Sequence, residues 1–255
     1  MSKKIKKLVC VLACRNGSTR LFGKPMQMLD IRKNITIIEH LINCLSKIES
    51  ISEVALAISY GLENKIFEKI AKNKSIQFVY GKENDVLSRL ILCGKKTKAT
   101  DILRITSESP FPYFQLINKF WSEHLNNSAD ATFLDNIIDG CGFEILSMNA
   151  LIKSHKKGKK NHLEHCSLYI RENFKKFKVL KFLSPKKFNR KDIRLTVDYP
   201  EDLAVCRKIY SKLKKQAPLF KLESIVNFLD NNLELKKMFK PYLKDGYSSM
   251  YKWGK

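Results

Sequence analysis

The chain has 255 residues and 44% hydrophobic content, enough to bury a real core, and no stretch reaches the roughly eighteen apolar residues that a membrane-spanning helix requires. A formal charge of +23 is extreme and raises nucleic acid or an acidic membrane as a partner. Yet only nine of the 48 basic residues are arginine, the better residue for bidentate phosphate and base recognition; the lysines fall in dispersed pairs such as Lys156-Lys157 and Lys236-Lys237, which read as a solvated face, so nucleic acid and membrane are both disfavoured.

In chain order, KKLVCVLAC reads as a first strand, its apolar run too short for a usual signal peptide. ITIIEHLINCLSKI follows with Ile37, Ile38, Leu41, Ile42 and Leu45 on one helical face. The unit then repeats: EVALAISY as strand, NKIFEKIAKN as helix, IQFVYG as strand, NDVLSRLILCGKKT as helix, DILRIT as strand and QLINKFWSEHL as helix. Such alternation implies right-handed crossovers and a mostly parallel α/β sheet with helices on both faces, a Rossmann-like architecture. Beyond Leu134 the rhythm breaks into a turn, a short strand, two helical pieces and another strand, which suggests a small inserted αβ subdomain over 135–185. IRLTVDYPEDLAVCRKIYSKLKK predicts a strand ending at Asp198 and a helix opening at Pro200, with Glu201 and Asp202 complementing its positive end. One further amphipathic helix, LESIVNFLDNNLELKKMF, precedes a loose tail over 240–255. Without repeats or low-complexity linkers, 1–255 reads as a single domain carrying the insertion.

Seven cysteines lie scattered among apolar neighbours without a CxxC pair, the pattern of buried thiols in a reducing, cytoplasmic protein. The loop ACRNGSTRLFGKP, Ala13 to Pro25, is more informative. Ligands of open parallel sheets bind beyond the carboxyl ends of strands, and Gly17 and Gly23 there have conformational freedom that lets main-chain N–H groups approach an anion. Arg15, Arg20 and Lys24 add positive charge, although the spacing is neither GxGxxG nor GxxxxGK[ST] and a lysine-rich protein places basic residues in many loops.

This loop resembles the A-x-R-x-G-S-x-R-L-x-G-K-P signature of the cytidylyltransferase group of sugar nucleotidyltransferases, which contains the spore-coat polysaccharide synthesis proteins and the enzymes that make CMP-activated acidic sugars. The matching residues are Ala13, Arg15, Gly17, Ser18, Arg20, Leu21, Gly23, Lys24 and Pro25. GKENDVLSRL, DILRIT with SESP, IDGCGFEILSMNAL, LEHCSLYI and LTVDYPEDL are similar to further segments of that group in the same order, together spanning roughly positions 8 to 215.

The resemblance implies the nucleotide-diphospho-sugar transferase fold and a CTP-dependent transfer of CMP to an acidic or phosphorylated sugar for a surface polysaccharide or glycan, with Mg2+ as cofactor and a homodimer as the assembly. It implies nucleotide contacts from Leu12, Ala13, Arg15, Gly17, Ser18, Arg20, Lys24, Asn84, Asp85 and Arg89, with Arg15, Lys24 and Arg104 in catalytic roles. Glu144, Glu164 and His165 would face the acceptor, and Glu108 and Asp198 would bind the metal. The residues themselves leave alternatives: Asp198 as a helix-capping acid, Arg104 in a surface salt bridge, Glu144 as a buried structural acid and His165 as a structural hydrogen-bonder.

Glu108 stands where the group has aspartate, Ser107 where it has glycine, Phe22 where proline is usual and Leu163 where it has arginine. Glutamate moves the carboxylate by more than an ångström, a scale on which catalysis can lose about a hundredfold, so a non-catalytic nucleotide-binding relative is the first rival reading, with a basic nucleic-acid-binding protein a lesser one.

Overall fold

The computed structural model describes residues 5–244 and 253–254. The expected tail over 240–255 therefore falls largely outside the described residues. β1 (Leu8–Cys14) is followed by the glycine-bearing loop and by a small antiparallel hairpin, β2 (Met28–Asp30) and β3 (Ile35–Thr36), which the periodicity does not anticipate. Then come α1 (Ile37–Leu45), β4 (Glu53–Ser59), α2 (Lys65–Asn73), β5 (Gln77–Gly81), α3 (Val86–Lys96), β6 (Asp101–Thr106) and α4 (Ile117–Asn126), where the hydrophobic pattern puts them. The remainder is β7 (Ala131–Asp135), β8 (Glu144–Ser147), α5 (Met148–Lys157), α6 (Lys160–Glu164), α7 (Leu168–Glu172), β9 (Val179–Leu183), α8 (Pro200–Leu213), α9 (Leu222–Asp230) and α10 (Leu233–Phe239).

Seven strands form one sheet in the order β5-β4-β1-β6-β8-β7-β9. β5, β4, β1 and β6 run parallel; β8 runs antiparallel to both its neighbours, and β9 is parallel to β7. The 135–185 region thus contributes β8 and β9 to the same sheet. Alternate residues of β1 point to opposite faces: Leu8, Cys10 and Leu12 pack with α1, α2, α4, α8 and α9, whereas Val9 and Val11 pack with α3, α5 and α7. Coverage of both faces explains why VCVLAC and VALAI are continuous apolar runs. Burial of each such Leu, Ile or Val contributes about 1.5–3 kcal/mol, so the sheet centre is the most strongly held part of the molecule.

Local signals set the helix starts nearest the cleft. At α1, Thr36 Oγ1 accepts the Glu39 N–H at 3.3 Å while Glu39 accepts the Thr36 N–H at 3.1 Å, a reciprocal cap. At α3, Asp85 accepts the Ser88 N–H at 2.8 Å. At α8, buried Asp202 accepts the N–H groups of Asp198 and Tyr199 at 2.9 and 3.0 Å, which fixes the approach of the chain to Pro200.

Two expectations need correction. The predicted strand ending at Asp198 makes only an isolated bridge, Arg194 with Asp139. Its hydrogen bonds are split between two loops: the Leu195 N–H donates to the Asp139 carbonyl at 2.8 Å and the Val197 N–H to the Glu108 carbonyl at 3.1 Å. Gly140, at φ +86, permits this close threading, since a Cβ there would lie 2.4 Å from the Thr196 nitrogen. The last predicted helix is two, α9 and α10. Asn231 and Asn232 turn their side-chain amides back onto the carbonyls of Asn227 and Phe228 at 2.9 and 2.6 Å, competing with the helix between them.

Candidate functional site

β1 lies between β4, which continues the chain outward, and β6, to which it returns, so the loops after β1 and β6 part above the sheet and leave a crevice. The loop after β1 is closed by the Gly23 N–H, which donates to the Asn16 carbonyl at 2.9 Å, with Gly23 at φ +62. Gly17 is outside the left-handed region, and a Cβ there would meet only the Glu83 carboxylate at 3.6 Å. The backbone freedom expected of two glycines is therefore used by Gly23 alone. Asn16 anchors the loop from below: its N–H donates to Asn64 Oδ1 at 2.8 Å and its Nδ2 to the Glu63 carbonyl at 2.5 Å.

So tethered, the loop aims its cations at a residue 174 positions away. Lys24 Nζ donates to Asp198 Oδ1 at 2.5 Å and Arg20 to the same oxygen at 2.8 Å, while the other carboxylate oxygen is held by Arg194. Burial pushes the Asp198 carboxyl up, but Lys24, Arg194 and Arg20 outweigh it and hold it below the ordinary range. Arg194, 1% exposed, also donates to Asp139 at 2.7 Å and to Asp202 at 3.2 Å. Asp139 is raised to about 6, first by desolvation, with Asp198 and Asp202 adding to the rise and Arg194 opposing it.

Glu108 joins Asp198 in lining one cavity of about 310 Å³, and the Val197–Glu108 backbone bond holds the two segments together. Ser107 is buried, its hydroxyl 2.8 Å from the Ala13 carbonyl and 3.3 Å from Glu108 Oε2, a tie between the ends of β1 and β6 that glycine would lack. The strand register completes the wall: Arg104 of β6, Glu144 of β8 and Phe133 of β7 are directly opposed in sequence across the sheet. Arg104 donates to Glu144 at 2.8 Å, and Arg171 of α7 donates to Glu144 at 3.4 Å and to both oxygens of Asp135 at 2.9 and 3.0 Å. Burial would raise the Glu144 carboxyl, but Arg104 and Arg171 overcome it and hold it low.

A second cavity, of about 640 Å³, adjoins the first and shares Arg15, Arg20, Lys24, Arg104, Glu108 and His165 with it. Ala13, Gly17, Ser18, Arg89 and Glu164 line the larger lobe only, and Glu144 and Asp198 the smaller only. Leu12, Asn84 and Asp85 line neither lobe. The Leu12 side chain is buried in the core. Asn84 is exposed and lines neither lobe, and Asp85 is occupied capping α3 and pairing with His155 at 3.0 Å. Arg89, 1% exposed, works beneath the lobe, donating to the carbonyls of Ala57, Cys14 and Glu83 at 2.8, 3.3 and 3.1 Å. Arg15 pairs with Glu83 at 3.1 Å on the rim.

Sequence reasoning passed over Asp139, Arg171 and Arg194. Arg194 had one faint signal, its place four residues before Asp198. Arg171, in LYIREN, looks like any charged helix residue. All seven cysteines are buried and free, and no described helix is long and apolar enough to cross a membrane. Among the described residues no three His, Cys, Asp or Glu side chains converge as a metal site. Four carboxylates line the smaller cavity, Glu108, Asp139, Glu144 and Asp198, and such hard oxygen donors suit a cation that completes its shell with ligand phosphate and water, as magnesium does.

Compared with known proteins, residues 9–239 match the family model for cytidylyltransferase. The chain is 31% identical over 235 residues to the uncharacterised protein MJ1063 of Methanocaldococcus jannaschii, covering 91% of this chain and 94% of that one. It is 25% identical over 228 residues to the spore coat polysaccharide biosynthesis protein SpsF of Bacillus subtilis, covering 88% and 95% respectively. A solved cytidylyltransferase structure from Leptospira borgpetersenii shares the fold, with a TM-score of 0.82 over 91% of this chain and 97% of that one at 22% identity.

Proposed function

The chain belongs to the cytidylyltransferase family, and we propose that it transfers CMP from CTP to an acidic or phosphorylated sugar with release of pyrophosphate, in the making of a surface polysaccharide or glycan. The observation that carries this reading is the grip of Lys24 and Arg20 on Asp198 at the junction of two adjoining lobes, with Glu108 on the same cavity. In the proposal the larger lobe takes CTP and the smaller takes the acceptor, whose oxygen meets the α-phosphate where the lobes share their wall.

An acceptor oxygen, either a phosphate oxygen or a hydroxyl that gives up its proton to solvent, bonds to the α-phosphorus as the bond from that phosphorus to the bridging oxygen breaks, and pyrophosphate departs with the electron pair. No protein nucleophile is required. Arg15, Arg20 and Lys24 neutralise and orient the triphosphate, and Arg104 faces the charge that develops on the phosphoryl oxygens. Magnesium, bound through Glu108 and Asp198, would supply further charge neutralisation on the phosphates. Anionic acceptors suit a lobe whose wall presents Arg104, Arg171 and His165. SpsF, a relative named for spore coat polysaccharide biosynthesis, supports the pathway class.

Incubation with CTP, magnesium and a panel of ulosonic acids and sugar phosphates, read by pyrophosphate release, tests the proposal. Release that depends on both CTP and one of the acids is expected; silence across the panel together with no CTP-dependent thermal shift contradicts it. Glu108 and Ser107, standing where the family pattern has aspartate and glycine, motivate one rival, a protein that holds nucleotide without turning it over, and substitution of both separates the two.

A further inference from the structure

Trp253 lies beyond the residues matched by the family, yet it packs against Arg171, which lines the smaller lobe. The sheet register sets up the contact. Arg104, Glu144, Phe133 and Lys181 occupy neighbouring register positions on β6, β8, β7 and β9, so they form a row across four strands. Arg171 sits on this row. Its guanidinium carbon is 4.0 Å from the Phe133 ring centre and 4.9 Å from that of Trp253, and the two rings meet edge to face at 5.3 Å and 90°.

Three more contacts make the docking specific. The Trp253 indole N–H donates to Asp135 Oδ2 at 3.3 Å, the same oxygen that accepts from Arg171 at 2.9 Å. Lys181 Nζ lies 3.7 Å from the indole ring centre. The Gly254 N–H donates to the Arg171 carbonyl at 3.1 Å, and a Cβ on Gly254 would stand 2.1 Å from the Glu172 carbonyl oxygen, so a glycine is demanded there.

We propose that Trp253 is a positioning residue for the acceptor lobe: it closes an aromatic corner that fixes the plane of Arg171, which lines the smaller lobe only, so that acceptor binding depends on the 253–254 segment and nucleotide binding does not. The inference rests on the assignment of the smaller lobe to the acceptor. Its physical basis is that a guanidinium is held less firmly in its plane when one of the two rings beside it is removed, together with the indole N–H that helps to orient its carboxylate partner Asp135. Trp253 and Gly254 themselves line neither lobe, so their influence runs through Arg171, which the larger lobe lacks.

The test uses the full chain with Trp253→Ala, Trp253→Phe and Gly254→Val. The valine variant keeps the indole but denies the segment its approach, so it guards against an effect of the tryptophan alone. Trp253→Ala and Gly254→Val are expected to raise the acceptor KM about tenfold with CTP KM within about twofold of wild type, and Trp253→Phe to recover most of the loss. Hydrogen exchange is expected to quicken in residues 168–172 and to stay unchanged in 12–25. An unchanged acceptor KM, an equal rise in both KM values, or unchanged exchange in 168–172 overturns the inference. Failure of the functional reading would show instead in the wild type, as no pyrophosphate release with any acid.

Discussion

Asp198 and Glu144 are the two carboxylates of the cleft most tightly ringed by cations, and the difference between them lies in what carries those cations. Lys24 and Arg20 reach one Asp198 oxygen from a loop, and the Arg20 side chain is 41% exposed, while buried Arg194 holds the other oxygen. Arg104 and Arg171 reach Glu144 from a strand and a helix, and Arg171 is only 2% exposed. In the proposed reaction an incoming triphosphate would compete for the first pair, because long side chains on a loop can turn to a new anion at small cost. The second pair is locked by register and packing. Asp198 therefore reads as an exchangeable counter-ion and Glu144 as part of the frame.

If that contrast holds, substitution at the two acids should damage different properties. Asp198→Asn is expected to lower turnover about a thousandfold, roughly 4 kcal/mol in the barrier, while the melting temperature moves little because Arg194 keeps Asp139 and Asp202. Steady-state pyrophosphate release and a thermal melt on the same sample check both halves. A fall in stability with intact turnover would invert the assignment.

Glu144→Gln should do the reverse and lower unfolding stability by about 3 kcal/mol in a urea titration, since Arg104 and buried Arg171 lose a shared charge partner. The pH dependence has a definite sign. Folding holds the Glu144 carboxyl below its ordinary 4.5, so the unfolded chain binds more protons in that region. Its contribution is complete above that value and is lost as the pH falls through it and below. Wild type should thus gain more stability than the variant between about pH 3 and 5. Parallel pH profiles for the two proteins would place the stabilising charge elsewhere.

Lys24→Ala sharpens the contrast from the cation side: kcat/KM for CTP is expected to fall about a hundredfold with no change in the acceptor KM. The smallest effect concerns the departures from the family pattern. Replacing Ser107 by Gly together with Glu108 by Asp should cost an active enzyme about tenfold, because the Ser107 bond to Ala13 and the reach of the glutamate have adjusted to each other. A large gain in rate would instead favour the reading of a protein that binds nucleotide without turnover.

What could be read from the residues follows the same divide. The loop from Ala13 to Pro25 is contiguous, and its charge and the turn at Gly23 were legible, as were β1, β4, β5 and β6 with the helices between them. The strand expected before Asp198 failed because its backbone bonds divide between the Asp139 turn and Glu108, a pairing no local period encodes. Arg171 was hidden for a related reason: its worth comes from β8 running against its neighbours, which sets Glu144 between Arg104 and Phe133. Asp85 shows the converse, since its place in the matched segment gave no sign that its side chain caps α3 and pairs with His155.

Calorimetric titration of CTP in the presence of magnesium, into wild type and into the Arg20→Ala, Lys24→Ala double variant, tests most directly whether the cationic loop and the carboxylates opposite it form a triphosphate site. Loss of two charge-assisted contacts predicts affinity weaker by about a hundredfold or more in the variant. Affinities equal within about twofold would contradict it.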